Sequence, residues 1–199
     1  MRFSRGITVV IGASGLLILS SGCGPSPSRG VSDATSTALD TFALKSSPCR
    51  GAMPSSTLAL PAGHALDFAF DATGVQIYEC RAGVAQPAWT FVAPEATLYD
   101  RRGQIAGKHY AGPTWEATDG STVLGARVAG FVVDSTAVPW LLLSAAAHTG
   151  SGTMAEVTYV QRVATTGGVA PATGCDSGTL GAVARVPYTA SYCFAEADE

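Results

Sequence analysis

Long helical periodicity is absent from this chain of 199 residues, and so is any excess of positive charge: 12 Lys and Arg stand against 15 Asp and Glu, a formal net charge of −3. The first absence argues against a helical fold and against alternating strands and helices. The second removes the means of neutralising phosphates, the main source of nucleic-acid affinity, and excludes nucleic acid as a partner. Histidine is scarce: His64, His109 and His148 show neither H-x-H nor H-x-x-x-H spacing, so no metal site is expected. The five cysteines include no C-x-x-C pair, which argues against a zinc knuckle or a thioredoxin-like redox centre. No G-x-S-x-G elbow occurs, so nucleophilic hydrolysis has no local signature.

What is present favours strands and turns. Hydrophobic residues make up 47% of the chain, charged residues only 14%, and 23 Gly with 11 Pro supply many chain reversals. Residues 1–22 read as an export signal rather than as part of the fold. Arg2 and Arg5 form a basic start, "GITVVIGASGLLILS" is an apolar run too short and too glycine-rich to span a bilayer, and "SSGC" ends at Cys23. "LSSGC" resembles a bacterial lipobox with Ser20 in place of the preferred Leu, which marks Cys23 for lipid attachment and the membrane as a partner through that anchor. Secretion without acylation is the alternative. Residues 23–45 contain "GPSPSRGVSDATSTALD", which has too little apolar surface to offset its ordering entropy and reads as a flexible tether.

Residues 46–199 are expected to form a single all-β domain, an antiparallel sandwich or a closed barrel, with little helix outside the signal. Setting Cys23 aside leaves Cys49, Cys80, Cys175 and Cys193, an even set that suits disulfides in an oxidising compartment. Four cysteines allow three pairings. Domain ends commonly lie close together, which favours a nested pattern, Cys49 with Cys193 and Cys80 with Cys175.

From residue 57 the hydrophobic pattern has a period of two. "LDFAF" places Leu66, Phe68 and Phe70 on one face, "DATG" reads as a turn, and "VQIYECR" then separates Val75, Ile77 and Glu79 from Gln76, Tyr78 and Cys80, which together predict a hairpin. "AWTFV", "ATLYD", "GFVVD", "AEVTYVQRV" and "VPYTASYCF" are further strand candidates, and "VPWLLLSAAAH" reads as a buried strand with a helical alternative.

The stretch "KHYAGPTWEATDGS", residues 108–121, concentrates groups able to do chemistry. Asp119 and Gly120 predict a two-residue type I′ hairpin, and Gly112 with Pro113 an interruption of strand pairing. That leaves His109, Tyr110, Trp115 and Glu116 as candidates for one concave edge, where an indole, a carboxylate and an imidazole suit a small polar or carbohydrate-like ligand, and an exported domain of this kind is expected to bind such a ligand or an envelope component. Strand alternation sends Trp115 and Glu116 to opposite faces unless the Gly112–Pro113 irregularity re-aims one of them. An acid/base hydrolase using Glu79, His109 and Glu116 is the enzymatic alternative, and a structural surface protein without a pocket is a third class. Arg162 is expected to pair with Glu79 or Glu116 across strands. His64 reads as a turn residue whose ring bonds the backbone, and His148 as the end of a loop.

The stretches "LPAGHAL", "GVQIYEC", "PEATLYD", "GKHYAGPTWEATDGS", "VPWLLL", "VTYVQRVATTGGVAPATGC" and "VPYTASY" resemble, in this order over residues 57–194, the DUF3455 family of secreted bacterial and fungal proteins. The resemblance implies an exported domain with these boundaries and no assigned activity. Some fungal members carry a malate dehydrogenase label, but hydride transfer needs a glycine-rich turn between strand and helix. The one match, "GSGTMA" at residues 150–155, precedes the β-like "EVTYVQRV", so no nicotinamide or other cofactor is expected.

Overall fold

The computed structural model describes Cys49 and residues 51–198. The signal, Cys23 and the tether lie outside the described residues. Eight strands follow one another: β1 (His64–Arg81), β2 (Ala88–Tyr99), β3 (Ile105–Tyr110), β4 (Thr114–Ala117), β5 (Thr122–Phe131), β6 (Trp140–Thr149), β7 (Tyr159–Gly167) and β8 (Val183–Ala197). Each is antiparallel to the next and β8 returns to β1, closing the sheet into a barrel. Helical structure among the described residues is limited to 3-10 conformation, at Cys49 and in the turn Ser56–Leu58.

Closure depends on the length of β1. Its 18 residues pair with β2 from Asp71 to Arg81 and with β8 from His64 to Glu79. The predicted hairpin at "DATG" does not exist. Those residues run straight through the middle of β1, and Gly74 is there for close approach rather than for turning: a Cβ at Gly74 would lie 2.1 Å from the Glu95 carbonyl oxygen and 2.5 Å from the Ala96 Cα. A shift in the β1–β8 register between Leu66 and Phe68 also separates the residues expected on one face. Phe68 and Phe70 pack against the barrel interior, where Phe68 stacks on Phe194, whereas Leu66 packs outside.

The interior core includes Leu98, Trp115, Val123, Leu143, Tyr192 and Phe194, drawn from five different strands. Alternation is clean in the second half of β1, where Gln76, Tyr78 and Cys80 are buried between less buried neighbours. "VPWLLLSAAAH" is strand, as β6, with Leu141 and Leu143 toward the interior core.

A smaller cluster lies on the outer wall. Cys49, Val163 and Cys193 meet there with Met53, Leu66 and Trp140. The chain before β1 therefore covers part of the barrel's outside, and it is fastened twice: by the Cys49–Cys193 disulfide and by Gln161 Nε2, which donates to the Leu58 carbonyl at 2.6 Å. The second disulfide, Cys80–Cys175, ties the end of β1 to the β7–β8 connection. The pairing is thus the nested one. Two disulfides indicate an oxidising, extracellular-type compartment. No helix among the described residues is long and apolar enough to cross a membrane.

The β4–β5 hairpin forms at Asp119–Gly120, but not as a two-residue type I′ turn. That turn needs positive φ at both central residues, and here Gly120 has it (φ 84°) while Asp119 does not. Gly120 N–H donates to the Ala117 carbonyl and Ala117 N–H to the Ser121 carbonyl, both at 3.0 Å, which makes a three-residue loop closed by glycine. The Asp119 carboxylate accepts from Ser121 N–H and Oγ–H and, at 2.8 Å, from both the N–H and hydroxyl of Thr153, so the loop is clamped to the β6–β7 connection. These bonds hold its pKa far below the ordinary carboxylate value. The segment "GSGTMA" lies in the same connection and opens no helix.

Candidate functional site

The barrel encloses an open cavity of about 520 Å³, a size typical of small-molecule sites. His109 and Trp115 both line it. They are direct partners across β3 and β4, so they share a face, and their rings stack with centroids 4.5 Å apart and 14° between planes. Trp115 also meets Tyr192 edge-on at 5.3 Å. Both residues are almost fully buried, Trp115 at 1% exposure and His109 at 2%. The Gly112–Pro113 irregularity does not re-aim a side chain. It is the β3–β4 turn itself, with Gly112 at φ 134°.

Alternation puts the other two candidates on the far side of the wall. Lys108, Tyr110 and Glu116 form an outer cluster: Tyr110 donates to Glu116 Oε2 at 2.9 Å, and the Lys108 ammonium lies 3.1 Å from Glu116 Oε1. The Lys108 partner, then the Tyr110 bond, lower the Glu116 pKa, and the same bond raises that of Tyr110. Glu79 alternates with the buried Tyr78 and Cys80, is bonded by Arg81 at 2.8 Å, and does not line the cavity. Glu79, His109 and Glu116 therefore do not converge.

Arg162 corrects a further expectation. It pairs with neither Glu79 nor Glu116. Its Nε and Nη2 donate to the Pro139 carbonyl at 3.1 and 2.9 Å, and the side chain lines the cavity from β7. No Asp or Glu lines that space, whereas two arginines do, Arg162 and Arg127. The reason lies in strand phase: with Gln161 fastened to the outer segment and Val163 in the outer cluster, Arg162 must face in.

Sequence reading missed the polar residues that join it. Gln76 is 1% exposed and its Nε2 has no hydrogen-bond partner, nor has the Trp115 indole N–H. Such buried donors are exceptional in folded proteins. Gln76 lies near enough to the Tyr188 hydroxyl to favour its ionised form, without making a hydrogen bond of proper geometry. The Tyr188 and Tyr192 hydroxyls are 3.2 Å apart. Burial raises the pKa of both, opposed by the charge of Arg162, so both stay neutral phenols. Burial likewise lowers His109 to about 3, with the Thr114 carbonyl opposing and Arg162 assisting. The ring is neutral, and its Nδ1–H donates to the Thr114 carbonyl at 2.8 Å. A signal for Gln76 and Arg162 did exist, since Gln76 stands between apolar residues in "VQIY" and Arg162 belongs to a polar pair between valines in "VQRV".

The opening is marked by lining residues that are also solvent-exposed: Phe91 and Val92 of β2 and Arg127 of β5. Register shifts fall beside them, leaving Val92 unpaired with β1 and Val128 unpaired with β6. Bulges bend a strand and break its alternation, which admits an opening in an otherwise closed wall.

The family model described as protein of unknown function (DUF3455) matches residues 61–196. The chain belongs to this family. The match spans the barrel from just before β1 to the penultimate residue of β8. Neither the curated proteins nor the solved structures contain a match to the chain. Among the described residues of this DUF3455 protein no group of three or more His, Cys, Asp or Glu is placed to hold a metal ion. His148 bonds the Val157 carbonyl at 2.7 Å, and His64, at the start of β1 rather than in a turn, meets the Thr158 hydroxyl at 3.0 Å instead of the backbone.

Proposed function

We propose that this DUF3455 protein binds a small molecule inside its barrel. The observation that carries the reading is the pairing of open interior volume with buried donors that lack partners. A packed core fills its space and satisfies its polar atoms, whereas here about 520 Å³ is lined by Gln76 and Trp115 among others, and each of these two side chains keeps a buried N–H without a partner. Apolar and aromatic walls with a few polar groups are the usual make-up of ligand sites. The domain acts as an exported carrier or receptor, held at a membrane through lipid on Cys23.

Two experiments test this. Mass spectrometry of the purified protein should identify a compound that a Val138→Phe variant, with added bulk on the cavity wall, fails to retain. The same compounds from both proteins, or none from the wild type, would overturn the binding reading. Intact mass of the membrane-extracted protein should show acyl chains on Cys23, and an unmodified Cys23 in the mature product would rule out the anchor.

A further inference from the structure

The charge of the cavity narrows the ligand class. Arg162 is a partly buried guanidinium on the interior wall that donates to the Pro139 carbonyl and lies near enough to the Tyr192 hydroxyl to favour its ionised form. Of its five N–H groups, Nε and one on Nη2 are used at Pro139. The side chain lines a space that holds no carboxylate. Removing a cation from water is costly unless an anion or several acceptors compensate it, and one backbone carbonyl beside a neutral phenol supplies no negative charge. The neighbouring polar groups do not supply the missing charge: His109 is a neutral imidazole, Tyr78 donates to the Gly168 carbonyl, and Tyr188 and Tyr192 bond each other. Trp115 and Gln76 also line the space, and each keeps a fully buried N–H without a partner. The interior therefore offers positive charge and asks for negative charge. Around them stand Val138, Leu141, Leu143 and the Trp115 ring, which ask for an apolar body.

We infer that the ligand is a small amphipathic carboxylate, its head group on the free edge of the Arg162 guanidinium and its apolar body against the Trp115 and leucine walls. This rests on the proposed binding function and names its ligand class. A carboxylate fits better than a phosphate dianion because the interior holds one guanidinium, whose planar fork matches two carboxylate oxygens, while the second arginine, Arg127, is exposed at the opening.

The test uses the purified protein with both disulfides formed and matched probe pairs that differ only at the head: phenylbutyrate against phenylbutanol, and octanoate against octanol, with phenyl phosphate as a dianion. Calorimetric titration should show each acid bound about tenfold or more tightly than its alcohol. Arg162→Gln should bring each pair to within about twofold of each other while alcohol binding persists. If Arg162→Gln does not fold, because the Pro139 carbonyl loses its donors, Arg162→Lys replaces it; keeping the charge without the fork, it should retain a reduced preference for the acids. Acids and alcohols bound alike by the wild type, or a preference untouched in either variant, would overturn the carboxylate assignment while leaving a barrel that binds small molecules. Phenyl phosphate bound more tightly than every acid would overturn it too. Failure of all five probes to bind at up to about 1 mM would overturn the binding reading itself.

Discussion

Trp115 shows how one side chain serves two ends. Its indole is 1% exposed, stacked on His109 and set edge-on to Tyr192 and Phe194, yet it lines the cavity and keeps an unbonded N–H. Trp115→Ala is expected to cost about 3–5 kcal/mol of stability by denaturant unfolding, as for a large aromatic removed from a core; a loss below about 1 kcal/mol would mean that the stack contributes nothing to the fold. The neighbouring His109 makes a prediction about pH. Its pKa falls from the ordinary 6.5 to about 3, chiefly because burial disfavours the imidazolium. The unfolded chain therefore binds a proton that the folded chain refuses between those values. The stabilising contribution is complete above pH 6.5 and is lost as pH falls toward 3, at up to about 1.4 kcal/mol per pH unit. His109→Phe keeps a ring against Trp115 and removes the titration. The difference in stability between wild type and variant should slope with pH in that window, and parallel curves would contradict a neutral buried imidazole.

At the scale of strands, Gly74 decides whether β1 and β2 can lie together. An added methyl group would collide with the Glu95 carbonyl and the Ala96 backbone, neither of which can swing aside as a side chain would. Gly74→Ala should destabilise by about 1–3 kcal/mol or more, measured as a lowered urea midpoint; an unchanged midpoint would show that the strands part easily. The same residue explains where reading the sequence stopped. Period-two patterning located the buried face from Gln76 to Cys80, because alternation is a local property, whereas β6 was legible only as an apolar run that left a helix open. "DATG" misled because a turn and a close strand crossing both call for glycine, and only the partner strand tells them apart. Leu66 was misassigned because an extra residue in β1 reverses the phase there. At the site, His109 and Trp115 were legible as a pair of chemically capable residues, but alternation says which side chains share a face without saying which face becomes the inside. Tyr110 and Glu116 were grouped with them for that reason. Gln76 and Arg162 reach the cavity from β1 and β7, 86 residues apart in the chain, and only closure brings them together.

At the scale of the molecule, the two disulfides span most of the chain, with sequence separations of 144 for Cys49–Cys193 and 95 for Cys80–Cys175. Replacing either pair with serines should cost about 2–5 kcal/mol. The effects should differ in place: loss of Cys49–Cys193 should raise hydrogen exchange in the segment before β1, and loss of Cys80–Cys175 in the β7–β8 connection, and a uniform change across the barrel would contradict that division. The order of the strands carries a further consequence. Residues 64–70 have no strand partner except β8, which is the last to be made, and Phe68 and Phe70 are among them. A nascent chain that has completed seven strands still presents two sticky margins, the β8-facing edge of β1 from His64 to Glu79 and that of β7, both ready to pair with another molecule. Only arrival of residues 183–197 seals them at once, so this protein must be shielded from its own kind until β8 is available.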